Sequence, residues 1–209
     1  MRLIIFLFTL LSANFAKAHE ISSCICDHSC YTDEVSNLKC DSKVASFKSV
    51  GLPDASHTIM EGIIATNQQF PRVHQYEFKI TRVPQKANKP TYADPGAIGV
   101  AVNGVPIFDP ATQGPINAKT GKRPHTLYEG ELDDCGGHAG RGDDYHYHIA
   151  PICLIEELGE AHIEQMKRPI GYAMDGYPIH ALGWFNKEND VENKLDECRG
   201  MTDENGRYF

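Results

Sequence analysis

Three histidines lie close together in a stretch of the chain that is rich in glycine and tyrosine. His146 and His148 belong to the tetrapeptide Tyr145-His146-Tyr147-His148, and His138 lies at the end of a Gly-rich loop before it. Neutral imidazoles are common ligands of zinc and copper, and three of them beside an open position are typical of a catalytic zinc site. The sequence therefore predicts that His138, His146 and His148 bind one metal ion, copper or zinc.

A β-strand over residues 145–150 must position two of these ligands. Side chains alternate along a strand, so we expect the two tyrosines to face one way and His146 and His148 to face the other. Asp143 and Asp144, just before this strand, are candidates to orient the imidazoles by accepting hydrogen bonds. A second interpretation stays open, in which the same tyrosines and histidines form a structural network of hydrogen bonds.

The chain also contains an internal repeat. Residues 98–107 match residues 170–179, and the segment 132–135 matches the segment 195–198. Each unit begins with a strand, an Asn-Gly or Asp-Gly turn and a second strand, and these turns suit the positive φ angles of a tight hairpin. The second unit stops within its aromatic strand, at Phe209, so we expect the sequence to be a fragment.

Asp175 and His180 in the second unit form another candidate site. Because duplicated β units often pack face to face, we expect His180 either to join the histidine cluster as a fourth ligand or to act as a general base. In the second case Asp175 and His180 would be the acid/base pair of a hydrolase. A hairpin turn with a surface histidine is the alternative. His125 and Asp109 have less support as site residues.

Seven cysteines and an N-terminal apolar segment indicate an exported protein with disulfide bonds. An N-terminal cluster predicts two local disulfides, and a zinc knuckle that uses His28 is the alternative. An odd total leaves one thiol free, paired between chains, or paired with a cysteine outside this sequence. The candidates for disulfide bonding are Cys24, Cys26, Cys30, Cys40, Cys135, Cys153 and Cys198.

Residues 1–18 have the features of a secretory signal peptide. The apolar run Leu3–Leu11 is too short to span a bilayer, and Ala16-Lys17-Ala18 has the spacing of a signal-peptidase site. A retained membrane anchor is the alternative. Cleavage after Ala18 would make His19 the first residue, where its α-amine and ring could chelate copper. We expect a secreted protein, extracellular or periplasmic, with no integral membrane segment after cleavage.

Composition and motifs narrow the function further. The chain is 41% hydrophobic and carries a formal net charge of −8, which argues against nucleic acid and anionic membranes as partners. The sequence has no Gly-x-Ser-x-Gly, no phosphate-binding loop, no dinucleotide-binding motif and no His-Glu-x-x-His. Calcium binding by the acidic loop 133–144 is a minor alternative, although the spacing differs from that of an EF-hand.

The hydrophobic pattern predicts a mainly β fold, a β-rich α+β class. Residues 73–81 alternate between apolar and charged side chains, as a half-buried strand does, and residues 57–66 are expected to be another strand. One short helix is expected between Pro151 and Pro169, although Gly159 is unfavourable within it.

We expect three parts in the chain. Residues 1–18 are the signal peptide, and residues 19–49 form a Cys-rich N-terminal segment. Residues 50–209 form a duplicated, sandwich-like β domain, which we expect to be truncated at its C-terminus.

The compound motif around the histidines resembles the YHYH domain family. Gly-Gly-His-Ala-Gly at 136–140, followed by Tyr-His-Tyr-His at 145–148, carries the resemblance, and residues 103–107 and 171–179 agree with it. The similarity covers about residues 97–209. Proteins of this family are typically secreted and have no established biochemical activity. The resemblance therefore implies a domain identity and export, and it implies no catalytic residue.

Three functions remain open at this point. The first is an exported copper- or zinc-binding protein, which could carry out metal-assisted hydrolysis or oxidation. The second is a metal-free extracellular module that is structural or binds a protein or glycan partner. The third is a hydrolase that uses Asp175 and His180. If His146 and His148 donate to backbone carbonyls in the core, the structural interpretation gains; if they point with His138 into one polar pocket, the metal interpretation gains.

Overall fold

In the part of the chain that the structure describes, the strands form two sheets that share one hydrophobic core. The structure is a computed structural model that describes residues 23–66, 69–89, 91, 96–112 and 114–209. The first sheet is antiparallel, with three strands in the order β1-β2-β3. Its strands are β1 (Ser36–Cys40), β2 (Val44–Ser49) and β3 (Tyr76–Thr81). In β3 the apolar residues Phe78 and Ile80 are buried and the charged residues between them are exposed, as the alternation predicts.

The second sheet has six strands in the order β6-β7-β5-β4-β8-β9. Only the pairing of β5 with β7 is parallel among these strands. The predicted mainly β fold is therefore confirmed. The six strands are β4 (Ala97–Ala101), β5 (Pro106–Phe108), β6 (Gly137–Ala139), β7 (Tyr145–Tyr147), β8 (Gly171–Ala173) and β9 (Pro178–Ile179).

Two hairpins form the middle and one edge of this sheet. Strands β4 and β5 are joined through Asn103-Gly104, and β8 and β9 through Asp175-Gly176. Gly104 has a φ of +75° and Gly176 a φ of +95°, which glycine adopts at little cost. Both predicted hairpins are confirmed, and they lie side by side because β4 pairs with β8.

The short helix expected between Pro151 and Pro169 is present in the structure. Helix α1 covers Ile152–Glu160 and continues as a π-helical turn over Ala161–Gln165. Gly159, with a φ of +71°, marks a kink inside α1, one residue before the helix ends. The buried residues Ile155 and Ile163 form a small second core with Ile170.

The main core joins both sheets. Phe47 and Phe78 come from the first sheet, and Tyr145, Tyr147 and Tyr172 come from the second. Since β2 precedes residue 50 and β3 follows it, the first sheet combines residues from both sides of the expected boundary at 49/50. The boundary itself stays a prediction.

The strand expected over residues 57–66 is wrong. This segment consists of turns and bends, and Met60 and Gly62 have φ angles of +67° and +84°, which are incompatible with an extended strand. Its backbone groups bond to a distant loop: the Ile64 N–H donates to the Gly130 carbonyl at 2.9 Å, and Glu61 accepts from the N–H of Asp134 at 2.9 Å. Contacts far away in sequence therefore override the local preference.

The cysteines form three disulfides. Cys24 bonds to Cys30 and Cys26 bonds to Cys40, so the two predicted local disulfides are confirmed. The alternative zinc knuckle with His28 is wrong, because all four thiols are consumed. A third bond, Cys135–Cys153, ties helix α1 to the loop before β6, and Cys198 is free and exposed.

The expected signal peptide at residues 1–18 and the copper-chelating His19 lie outside the described residues. Within the described residues, no helix is long and apolar enough to span a membrane.

Candidate metal centre

Strands β6 and β7 bring the three histidines together. His138 lies on β6 directly opposite His146 on β7, and His148 follows the end of β7 by one residue. The Gly-rich segment that was expected to be a loop thus forms a strand at Gly137–Ala139. This pairing supplies the third imidazole by strand register, a more rigid arrangement than a folded-back loop.

The predicted alternation along Tyr145–Tyr147 is confirmed, although the strand is shorter than expected. Tyr145 and Tyr147 are fully buried in the main core. His146 and His148 point to the other face, where His138 is 9% exposed, His146 3% and His148 8%. The three imidazoles are therefore shielded from bulk water.

Two buried polar residues hold the tyrosines in place. The Tyr145 phenol donates to Asp133 Oδ2 at 2.8 Å, and Asn103 Nδ2 donates to the Tyr147 oxygen at 3.0 Å. The Asp133 carboxylate also accepts the backbone N–H groups of Met60, Cys135 and Gly137. Burial raises its pKa, and these donors act in the opposite direction.

Sequence analysis did not identify Asp133 and Asn103 as positioning residues. The internal repeat could have pointed to them, because both lie in segments that recur in the chain. Asp133 matches Asp196, and Asn103 matches Asp175. The same hydrogen bonds occur around Asp196, whose carboxylate accepts the N–H of Cys198 at 2.9 Å and the phenol of Tyr208 at 2.9 Å.

The Nε2 atoms of the three histidines converge. His148 Nε2 lies 3.1 Å from His146 Nε2 and 3.2 Å from His138 Nε2. One ligand atom from each of the three residues lies within 4.8 Å of the others. Ligands of a tetrahedral zinc ion, with bonds of about 2.0 Å, are separated by about 3.3 Å. Two of the three separations therefore match a shared tetrahedral ion, and all three ligand atoms lie within 4.8 Å of one another.

The other ring nitrogens face backbone carbonyls. His146 Nδ1 lies 2.9 Å from the Asp144 carbonyl, and His148 Nδ1 is bonded to the Asp109 carbonyl. A carbonyl can only accept, so each of these Nδ1 atoms carries a proton. A neutral imidazole has one N–H, so its Nε2 presents a bare lone pair. His138 also bonds to the backbone of Glu131.

The feature expected of a structural network and the feature expected of a metal site therefore occur together in one site. The histidines donate to backbone carbonyls, and they also point into a shared polar pocket. Carbonyl-bonded Nδ1 atoms with convergent Nε2 atoms are the usual arrangement of metal-bound histidines, whose second nitrogen is fixed by a hydrogen bond.

Burial keeps two of these imidazoles neutral. Desolvation, reinforced by the neighbouring imidazoles, lowers the pKa of His138 to about 3. Desolvation and the His146 ring lower the pKa of His148 to about 4. Metal ligation needs the unprotonated ring. These two ligands are therefore available to a metal across the whole neutral range.

Phe108 and Asp144 hold His146 from two sides. The Phe108 ring stacks on the His146 ring, with centroids 4.0 Å apart, and Asp144 Oδ2 lies 3.6 Å from His146 Nδ1. Burial acts to raise the pKa of Asp144, but the His146 ring holds it below its usual value. The other expected orienting residue, Asp143, instead pairs with Arg72 at 3.0 Å.

The histidines border a small cavity. Its volume is about 140 Å³, and it is partly open to solvent. Polar and small residues make up the rest of its wall: Thr112, Gly114, Thr126, Glu131, Ala139, Gly140 and Arg141. A metal held by the three Nε2 atoms would therefore have free space beside it for a further ligand.

The structure does not bring Asp175 and His180 to this cluster. Strand β9, which ends just before His180, lies at the opposite edge of the sheet from β6. His180 packs against Phe209, with ring centroids 4.9 Å apart, and Asp175 is exposed in its hairpin. Among the described residues, no hydrogen bond links the two. Asp175 and His180 therefore do not form the acid/base pair that a hydrolase would need.

The remaining candidates have local roles. His125 Nδ1 accepts the N–H of Leu127 at 3.2 Å, and the Asp109 carboxylate accepts the N–H of Ala111 at 2.6 Å. In the acidic loop proposed for calcium, the Asp133 carboxylate already accepts four hydrogen bonds. In the part of the chain that the structure describes, the three histidines are the one group of ligands close enough to share an ion.

Comparison with known proteins identifies one family. A family model described as "YHYH protein" matches residues 77–206, which is more than half of the chain. The match includes all three histidines and both positioning residues, Asp133 and Asn103. No curated protein and no solved structure matches the chain.

Proposed function

This chain belongs to the YHYH protein family, and we propose that it is an exported protein that binds a transition metal ion through His138, His146 and His148. Each histidine would contribute its Nε2 atom. Copper and zinc are the ions that three neutral imidazoles suit best.

The observation that carries this proposal is the contact between His146 and His148. Their Nε2 atoms are 3.1 Å apart, and both Nδ1 protons are already donated to backbone carbonyls. Two bare lone pairs at this distance repel each other in a buried site. A metal ion between them removes the repulsion and satisfies both groups.

A purely structural network accounts for this geometry less well. Such a network needs a donor on at least one Nε2 atom. The carbonyls of Asp144 and Asp109 place the protons of His146 and His148 on Nδ1. The His138 ring already bonds to the backbone of Glu131. The alternative donor is a protonated imidazole. Burial opposes it, since the pKa values of His138 and His148 are lowered to about 3 and about 4.

Export is supported by the chemistry of the cysteines. Three disulfides stabilise the chain, and such bonds form in oxidising compartments. The site itself contains no thiolate ligand, so it does not depend on a reducing environment. A metal there would act as a Lewis acid on a water or other ligand held in the adjacent cavity.

The test is the metal content of the protein exported by cells that express the full-length chain. We expect close to one copper or zinc ion per chain by elemental mass spectrometry. A His146→Ala/His148→Ala variant should lose the metal, and the His28→Ala control, which removes an exposed histidine, should keep it.

Circular dichroism shows whether the double variant still folds. Absence of metal from the wild-type protein, even after incubation with copper and zinc salts, would refute the proposal. Equal metal content in the wild type and the folded double variant would also refute it.

A further inference from the structure

We propose that the metal ion binds a small anion in its free coordination position, and that Arg141 pairs with this anion. The inference rests on the proposed metal site and names the class of ligand that the site accepts. It is drawn from the cavity beside the histidines, from the charges around that cavity and from the position of Arg141.

The size of the cavity limits the ligand to a few atoms. Its volume is about 140 Å³, and its wall includes all three metal-binding histidines. Sites for drug-sized ligands have volumes of about 300–1,000 Å³. A ligand that fills this cavity is therefore a small inorganic ion or a molecule of similar size, directly next to the metal.

The charges in the cavity favour an anion. The three histidines contribute no positive charge when they bind as neutral ligands, so a divalent metal keeps its full charge. Arg141 adds one positive charge, and Glu131 in the wall and Asp144 beside His146 each add at most one negative charge. The site with its metal is thus positive overall, although the chain as a whole carries a formal charge of −8.

Arg141 is available for such a contact. It lines the cavity and is exposed. Among the described residues, no carboxylate lies within ion-pair distance of its guanidinium. An arginine donates charge-assisted hydrogen bonds to anions, and a metal-bound anion offers it an outer acceptor atom.

Glycine at position 140 keeps the approach to the metal open. A Cβ atom on Gly140 would lie 2.8 Å from His146 Cε1 and 3.6 Å from His146 Nε2. Any side chain at this position would therefore occupy the space beside the ligand atom. The bare backbone leaves it free for an exogenous ligand.

Azide is a suitable probe, because its binding to Cu²⁺ produces a charge-transfer absorption band. The exported protein is loaded with Cu²⁺ and titrated with azide. We expect a saturable band in the wild type and a dissociation constant about fivefold larger for Arg141→Met. The matched control is Arg123→Met, which removes an exposed arginine outside the cavity and should behave as the wild type does.

The outcomes separate the two proposals. If the protein binds copper but azide produces no band, the anion site is refuted and the metal site stands. If the band saturates at the same azide concentration in the wild type and Arg141→Met, the assignment of Arg141 is wrong. If the protein binds neither copper nor zinc, both proposals fail. Copper content is measured for each variant, so that a loss of metal is not mistaken for a loss of anion binding.

Discussion

Tyr145 donates its phenol proton to the buried carboxylate of Asp133 across 2.8 Å, and the next residue along the strand, His146, faces the candidate metal site. The hydrogen bond thus holds strand β7 on its core side, and the His146 imidazole lies on the opposite side of the strand. Asp133 also accepts the N–H of Gly137, the residue before His138. One carboxylate therefore orders both strands that carry the site.

Tyr145→Phe is expected to lower the free energy of unfolding by about 1–3 kcal/mol, because Asp133 loses a partner in a buried setting. Chemical denaturation measures the change. The control is Tyr208→Phe, which removes an equivalent contact from Asp196 in an exposed setting and should have a small effect. Equal losses in the two variants would contradict the role assigned to Asp133.

The disulfide Cys135–Cys153 should stabilise the fold strongly. It closes a loop with a sequence separation of 18, which corresponds to roughly 3 kcal/mol by the chain-entropy relation. A Cys135→Ser/Cys153→Ser variant should unfold at a correspondingly lower denaturant concentration. Cys198→Ser, at the free and exposed cysteine, should match the wild type. A destabilising Cys198→Ser change would show that this thiol has a partner in the folded protein.

The metal-free protein is expected to lose stability as the pH falls. The folded pKa values of His138 and His148 are about 3 and about 4, below the usual value of 6.5. Below about pH 6.5 these histidines bind protons in the unfolded chain and not in the folded chain. The stability that they contribute above pH 6.5 is therefore lost as the pH falls from 6.5 to the folded pKa values.

We expect this loss to be roughly 1–2 kcal/mol per histidine between pH 7 and pH 5. Denaturation in the presence of a chelator, at several pH values, measures it. A His138→Gln/His148→Gln variant should show a flatter dependence on pH. The same slope in the variant and the wild type would mean that these imidazoles are not the groups that titrate.

Gly140→Ala should weaken metal binding by about tenfold or more, since the new methyl group would press on His146. The Cβ position lies 2.8 Å from His146 Cε1, too close without a shift of the ring. Gly121→Ala is the control, because a Cβ there meets no atom within 4 Å and the residue lies outside the cavity, so its positive φ of +67° affects stability and not the site. Competition with a chromophoric chelator gives both affinities. Unchanged affinity in Gly140→Ala would argue that His146 is not a ligand.

The sequence predicted those features that depend on neighbouring residues. The alternation of Tyr145 to His148 follows from strand geometry, and the two hairpins follow from Asn-Gly and Asp-Gly. The local disulfides followed from the spacing of the first four cysteines. Each of these depends on residues only a few positions apart.

The features that were missed depend on pairing between distant segments. His138 lies opposite His146 through strand register, which the Gly-rich segment alone does not specify. Residues 57–66 are held as turns by the loop around Gly130, not by any local signal. The placement of His180 at the far edge of the sheet follows from strand order, which the repeat does not reveal.

The most direct test of the metal site is X-ray absorption at the metal edge of the purified exported protein. We expect imidazole scattering from three nitrogen ligands at about 2.0 Å, with no sulfur neighbour. In a folded His138→Ala variant the number of imidazole ligands should fall to two. A spectrum dominated by sulfur, or by oxygen atoms alone, would contradict the assignment of His138, His146 and His148 as the metal ligands.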